Sequence, residues 1–241
     1  MSGLRIFHFL FGLVVIALIP AIAPAAVITH VGDTDPTLES PAWSKSGTIN
    51  GSVIDDDGTR AWKTQDNDTN YVSYFYIMPE ATFNDPKGWT YTVRARVIAS
   101  LYTPGSYIGV GFWINEINHY FLFCLVGGDT EADNGLWINN GGTSYTQIKQ
   151  MDTSGDYHTY QIIYNPAQSD RVSVYVDGVK VGEVLDSQVP AAYSGDKYIA
   201  WGITGTTALG EDANWSRVSF ETGQHPLVRG NAGMPLLLLQ D

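Results

Sequence analysis

Apolar and polar residues alternate along several short stretches of the chain, most clearly over residues 89–99. The apolar positions of this stretch are Tyr91, Val93, Ala95 and Val97, and threonine and arginine occupy the positions between them. A period of two predicts a β-strand with one face on a core and the other toward water or a ligand. The stretches 107–114 and 120–126 alternate less, which predicts strands covered on both faces in the middle of a sheet.

A β-hairpin is predicted around Asp177-Gly178. Valines alternate with other residues before this dipeptide, and further valines follow it. Asp-Gly favours a type I′ turn because both residues readily adopt positive φ angles. Residues 157–164 predict the strand before the hairpin, and 197–203 and 215–220 predict strands after it.

The pattern as a whole predicts an all-β fold. Helical periodicity is hard to find after the N-terminal region, and runs of β-branched and aromatic residues recur between clusters of Gly, Asn, Asp and Pro. We expect roughly a dozen strands joined by tight turns. Without crossover helices the strands pair antiparallel, so a chain of this length is expected to form a two-sheet β-sandwich of jelly-roll type.

Residues 1–25 have the three parts of a secretory signal peptide. Arg5 is the only charged residue in them, an apolar region covers residues 6–19, and Ala23 and Ala25 fit the small-residue positions of a cleavage site. The alternative, an uncleaved membrane anchor, is disfavoured because the apolar region is short and prolines interrupt its end. We therefore expect cleavage after Ala25 and a secreted, extracellular or periplasmic protein that does not insert into a membrane.

The mature chain shows no linker within residues 26–222, which predicts one jelly-roll domain. Residues 223–241 differ in composition and end in a leucine-rich segment that is too short to span a bilayer. We expect a C-terminal tail that is disordered or loosely packed, with a tail strand or a docking segment as alternatives.

The chain is acidic, with 25 Asp and Glu residues against 13 Lys and Arg residues and a formal net charge of −12. This charge repels phosphate backbones and anionic lipids, which argues against nucleic acid and membrane surfaces as partners. The single cysteine, Cys124, lies in the apolar run 121–126. It has no partner for an intramolecular disulfide, and we expect a buried, inert thiol rather than a reactive one.

Residues 160–164 and 171–182 resemble the strand-hairpin signature of the concanavalin A-like lectin/glucanase superfamily, including its laminin-G-like and pentraxin-like branches. Residues 214–220 resemble the aromatic strand that closes the sheet in those proteins, and residues 61–77 resemble the opening half of bacterial laminin-G-like modules. The resemblance covers about residues 27–222 and implies a jelly roll with a concave face that often binds glycans. It implies no single activity, because the scaffold carries lectins, hydrolases and adhesion modules.

Glucanases of this superfamily place their catalytic carboxylates on one strand as Glu-x-Asp-x-Glu or Glu-x-Asp-x-x-Glu. Only Glu131-Ala132-Asp133 begins this pattern, and Gly135 and Leu136 stand where the second glutamate is needed. The flanking glycines and asparagine favour a solvated turn. No other catalytic motif is recognisable, so we assign no catalytic residue, and a hydrolase with dispersed carboxylates stays an alternative.

A saccharide-binding site needs exposed aromatic rings beside amides, carboxylates or backbone groups. The first candidates lie around one predicted turn: Trp113, Asn115, His119 and Tyr120. The second candidates are Trp137 and Tyr145. For each of these residues the alternative is core or edge packing, or turn formation.

Two acidic turns supply oxygens of the kind that Ca²⁺ prefers, namely Asp55-Asp56-Asp57-Gly58 and Asp66-Asn67-Asp68. Neither continues into a loop with a distal glutamate, so a solvated acidic turn is the alternative at both positions and the metal ligands stay unassigned.

These features predict a secreted, non-catalytic, lectin-like or adhesion module that binds a glycan or polysaccharide. The main alternative is a structural extracellular or matrix protein that binds no sugar. The position of the aromatic residues discriminates between the two. If Trp113, Trp137 and Tyr145 all lie between the sheets, none is left to stack on a sugar.

Overall fold

The structure is a computed structural model that describes residues 27–47, 51–66, 72–100, 109–127, 133–203, 210–224 and 226. The predicted signal peptide, most of the predicted tail, Asn67, Asp68, Glu131 and Ala132 lie outside the described residues. No helix within the described ranges combines the length and the apolar character that a membrane span requires.

Two antiparallel sheets contain the strands of the described chain. The back sheet consists of β1 (Val27–Val31), β3 (Ser52–Asp56), β4 (Thr59–Gln65), β6 (Trp89–Ala99), β11 (His158–Tyr164), β12 (Arg171–Val176), β13 (Val179–Leu185) and β15 (Asp212–Thr222). The front sheet consists of β2 (Ser44–Gly47), β5 (Val72–Met78), β7 (Val110–Asn115), β8 (Tyr120–Val126), β9 (Gly135–Gly141), β10 (Ser144–Gln150) and β14 (Lys197–Ile203). The helical elements are α1 (Glu80–Phe83) and the single 3₁₀ turns Pro36–Leu38, Pro166–Gln168 and Asp186–Gln188.

The order of strands places distant parts of the chain side by side. In the back sheet it is β13-β12-β11-β6-β15-β4-β3, with β1 also paired to β15. In the front sheet it is β10-β9-β8-β7-β14-β5-β2. The two layers confirm the predicted all-β, two-sheet antiparallel sandwich.

Strand β6 has the bounds and the orientation that its alternation predicts. Tyr91, Val93, Ala95 and Val97 are fully buried, and Arg94 and Arg96 lie on the opposite face and are only partly buried. Strand β7 lies between β14 and β8, and all six of its residues are buried, which confirms a strand covered on both faces.

The predicted hairpin joins β12 and β13. Asp177 has a φ of 49° and Gly178 a φ of 74°, the left-handed conformation that the type I′ prediction requires. The Asp177 carboxylate accepts a hydrogen bond from the Thr159 amide at 2.8 Å and lies 2.6 Å from Nδ1 of His158. The hydrogen bond between the Asp177 carboxylate and the His158 ring raises the pKa of His158. Both contacts attach the turn to the beginning of β11.

Aromatic side chains join the two sheets. The rings of Trp201 on β14 and Trp215 on β15 lie 5.3 Å apart, and the Tyr91 hydroxyl on β6 donates a hydrogen bond to the Ala200 carbonyl at 2.9 Å. Each large apolar side chain buried in this way contributes roughly 1.5–3 kcal/mol. Cys124 is free and fully buried, as predicted, and burial raises the pKa of its thiol.

Candidate functional site

A groove of about 610 Å³ lies on the outer face of the front sheet. We call it the front groove. Because side chains alternate along a strand, one set from β5, β14 and β7 fills the core while the other set forms this outer surface. The described residues that line it are Ser46, Ser73, Phe75, Ile77, Trp113, Asn115, Tyr120, Tyr193, Ser194, Asp196, Tyr198 and Ile203.

Trp113 lies at the floor of the groove. Its neighbours on β7, Phe112 and Ile114, are fully buried and belong to the core, whereas Trp113 faces the other way and is 8% exposed. Burial raises the pKa of Tyr198, and the indole N–H of Trp113 hydrogen-bonds to the Tyr198 hydroxyl. Trp113 and Tyr198 therefore contact each other within the lining of the groove.

Asn115 positions one wall of the groove. It is fully buried, and its side-chain oxygen accepts a hydrogen bond from the Tyr193 amide at 2.9 Å. Its side-chain nitrogen donates to the carbonyls of Asp196 at 2.9 Å and Tyr193 at 3.3 Å. These bonds occupy the amide of Asn115 and attach residues 193–196 to the end of β7, so that Tyr193, Ser194 and Asp196 face the groove.

Tyrosine rings form much of the exposed surface of the groove. Tyr193 is 58% exposed, and its ring packs edge-on against that of Tyr120 with centroids 4.7 Å apart. The rings of Phe75 and Tyr198 pack in the same way at 6.4 Å. Burial raises the pKa of Tyr120, and the neighbouring hydroxyls raise it further, so the Tyr120 phenol stays protonated and can both donate and accept hydrogen bonds at neutral pH.

Charge is sparse in the groove. Asp196 is the one charged side chain among the described residues that line it, and no lysine or arginine is among them. The surface therefore offers aromatic rings, hydroxyl groups and one carboxylate to a ligand.

Trp137 and Tyr145 lie on the same outer face, beyond the groove. Leu136 and Ile138, which flank Trp137 on β9, are buried in the core, whereas Trp137 is half-buried and its indole N–H donates to the Asp133 carbonyl at 2.9 Å. Tyr145 on β10 pairs with Asn139 and is also half-buried. Neither these two residues nor Trp113 lie between the sheets.

His119 lies apart from the other candidates. Asn115 pairs directly with Tyr120, so the preceding residue, His119, faces away from the groove. Its Nδ1 lies 2.9 Å from a carboxylate oxygen of Glu116 and 3.6 Å from one of Asp186, beside a cavity of only about 50 Å³. The structure therefore joins Trp113, Asn115 and Tyr120 in one groove and places His119 elsewhere.

Sequence reasoning missed several residues of the groove, above all Phe75, Tyr193 and Tyr198. Strand β5 carried a signal, because apolar residues occupy both of its faces over residues 74–78. Such a strand is expected to have a second covered or ligand-bound face. Tyr193 had no comparable signal, since the loop that carries it is placed by the side chain of Asn115.

No family profile and no curated protein matches the chain at a significant level. Solved structures do match its fold. A carbohydrate esterase from the Shiga toxin-encoding bacteriophage phi24B aligns with a TM-score of 0.56 and 12% identity over 83% of this chain and 100% of the esterase chain. Domain 4 of a GH43 extracellular arabinanase from Geobacillus stearothermophilus, solved in complex with arabinotriose, aligns with a TM-score of 0.55 and 13% identity over 85% of this chain and 96% of that domain.

The fold is an antiparallel, two-sheet jelly roll. At these identities the likeness concerns the fold alone. The narrower resemblance to laminin-G-like modules stays a prediction.

The first acidic turn of this jelly roll is held by contacts within the protein. Asp55 accepts a hydrogen bond from the Gly58 amide at 2.8 Å, and Asp56 accepts from Arg96 at 3.0 Å and from Asn214 at 2.8 Å. Among the described residues, no three or more His, Cys, Asp and Glu side chains form a group that could hold a metal ion. Asn67 and Asp68 of the second turn lie outside the described part of the chain, and calcium there stays a prediction.

Two carboxylates lie near His119, those of Glu116 and Asp186. The oxygens of Glu116 accept hydrogen bonds from the backbone amides of Ile117, Asn118 and His119 at 2.6–3.1 Å. They therefore stabilise the turn between β7 and β8. The adjacent cavity of about 50 Å³ holds little more than a water molecule or two, which is too small for a sugar.

Proposed function

We propose that this chain is a secreted, non-catalytic module that binds a glycan in the front groove. The observation that carries the proposal is the concentration of aromatic rings on the outer face of a sheet whose inner face already supplies the core. An exposed apolar patch of this kind is typical of a binding surface. Tyr120, Tyr193 and Tyr198 provide ring faces and hydroxyl groups, which match the C–H faces and hydroxyls of a sugar.

The solved domains of the same fold support this choice of ligand. The arabinanase domain was solved with arabinotriose, and the phage protein is a carbohydrate esterase. On this chain the acid pair that hydrolysis of a glycosidic bond requires is not found at the groove, where Asp196 is the one carboxylate among the described lining residues. Binding without hydrolysis is therefore the function that the groove supports best.

A glycan array with the mature chain tests the proposal, together with the variant Tyr193→Ala. Tyr193 is largely exposed, so its removal should leave the melting temperature unchanged while affinity falls about tenfold or more. Tyr175→Ala is a matched control, because Tyr175 is a half-buried tyrosine on β12 of the back sheet. Absence of binding across a broad array at micromolar protein, or an equal loss in both variants, would contradict the proposal.

Export is the part of the proposal that rests on residues 1–25. The intact mass of protein recovered from the medium or periplasm should correspond to a chain that begins at Ala26. Recovery of the full-length chain from the cytoplasm only, or from a membrane fraction, would overturn this part and leave glycan binding unaffected.

A further inference from the structure

The outer face of the front sheet continues past the groove in register. Phe75 pairs with Ala200, Ala200 with Trp113, and Trp113 with Leu122. On the next two strands Asn139 pairs with Tyr145, and Trp137 lies opposite Cys124 of β8. The aromatic rings of β5, β14, β7, β9 and β10 therefore share one side of the sheet.

This line of side chains crosses six strands, from β5 to β10. Neighbouring strands lie about 4.8 Å apart, so the five steps span about 24 Å. In an extended glycan, each sugar ring lengthens the chain by about the spacing between two neighbouring strands. One ring can therefore lie over each successive strand, and the line is longer than a mono- or disaccharide needs.

The line is only partly exposed, since Ala200, Trp113 and Asn139 within it are buried. Leu122, Trp137 and Tyr145 are each half-buried, although all three strands that carry them have inward side chains in the core. The amide of Gln147 on β10 lies on the same face, because Gln147 pairs with Trp137. Rings and amides are the groups that pack on sugar faces and bind hydroxyls.

Charge limits the class of glycan. The groove has Asp196 and no basic residue among its described lining, and the whole chain has a formal net charge of −12. A uronic or sialic acid polymer would be repelled by the net charge, and no arginine or lysine is among the described residues that line the groove to offset that repulsion.

We propose that the front sheet binds a linear, uncharged oligosaccharide that extends from the groove across β8, and that Trp137 and Tyr145 form a distal subsite for its far end. This inference rests on the proposed function of the groove. It adds the length and the charge of the ligand, and it gives Trp137 and Tyr145 a role distinct from that of Tyr193.

Isothermal titration with size-graded cello-, xylo-, laminari- and arabino-oligosaccharides, from disaccharide to heptasaccharide, tests it. For the series that binds, affinity should rise about tenfold or more with length before it levels off. Trp137→Ala should lower the affinity for the heptasaccharide about tenfold and leave that for the disaccharide or trisaccharide within about twofold. Tyr193→Ala should lower the affinity for every length.

Tyr145→Ala provides an independent second variant in case Trp137→Ala melts at a lower temperature, because Tyr145 lies on the edge strand β10. Affinity that is already maximal at the disaccharide, an unchanged heptasaccharide affinity in the Tyr145→Ala variant, or a preference for charged or branched glycans would overturn the inference while the groove remains a glycan site. Failure of the parent to bind any saccharide would instead contradict the proposed function itself.

Discussion

Glu211 is a buried carboxyl group next to a second one. It lies just before β15 and is 1% exposed, and Asp66, just after β4, is 5% exposed. One oxygen of Asp66 accepts hydrogen bonds from the amides of Gly210 and Glu211 at 2.6 and 3.0 Å. Oδ2 of Asp66 and Oε2 of Glu211 are buried and have no hydrogen-bond partner among the described residues. Burial, and secondarily the charge of Asp66, raise the pKa of Glu211 to about 8.

This pKa makes stability depend on pH. The folded chain keeps a proton on Glu211 that the unfolded chain releases above the ordinary value of 4.5. The contribution of Glu211 to the free energy of unfolding is therefore largest below that value and should fall as pH rises toward about 8, by about 1.4 kcal/mol for each unit of pKa difference. Glu211→Gln should flatten this fall, as measured by urea unfolding between about pH 5 and about pH 9. The exposed Glu80→Gln is the control, and an equally steep fall in Glu211→Gln would contradict the assignment.

The packing of Glu211 against Gly109 explains why the sequence alone did not indicate this buried carboxyl group. A Cβ atom at position 109 would overlap the carboxylate of Glu211, so a glycine makes room for the buried side chain. The two residues are far apart in sequence, and no local pattern pairs them. Asn115 is similar, because its position at a strand end was evident but its bonds to residues 193–196 depend on the tertiary structure.

At the scale of elements, local patterns predicted the strands well. Strands β6, β8 and β14 have the predicted bounds, and the Asp177-Gly178 turn has the predicted positive φ angles. Alternation and turn chemistry are properties of neighbouring residues, so one sequence displays them. The pairing of β6 with β15, or of β14 with β5, joins segments more than a hundred residues apart, and no local sequence pattern predicts it.

Register explains the separation of His119 from Tyr120. The predicted cluster needed both side chains at one strand end, but adjacent residues in a strand face opposite sides. Whether Asn115 pairs with position 119 or with position 120 depends on the turn between β7 and β8, and a slip of one residue exchanges the two faces. The carboxylate of Glu116, which accepts three amides in that turn, stabilises the observed register.

At the scale of the whole molecule, stability and the candidate site use opposite faces of the front sheet. The inner face carries the aromatic core that holds the two sheets together, including Trp201 and Phe112. The outer face carries the rings of the groove. Substitution of an exposed ring such as Tyr193 is therefore expected to change binding with little effect on folding, and the proposed variants rely on this separation.

The net charge of the molecule decides how salt should affect binding. With a formal net charge of −12 and a groove whose one described charged lining residue is Asp196, attraction of an uncharged glycan owes nothing to long-range charge. The affinity for the bound oligosaccharide should therefore change by less than about twofold between about 0.01 M and about 1 M salt, although the screening length falls from about 30 Å to about 3 Å. A uronic acid oligomer of equal length should bind more weakly and gain affinity with salt, because screening reduces its repulsion. Titration calorimetry of both oligomers across this range separates the two cases, and an affinity that falls steeply with salt would indicate a charged ligand and contradict the assignment of a neutral one.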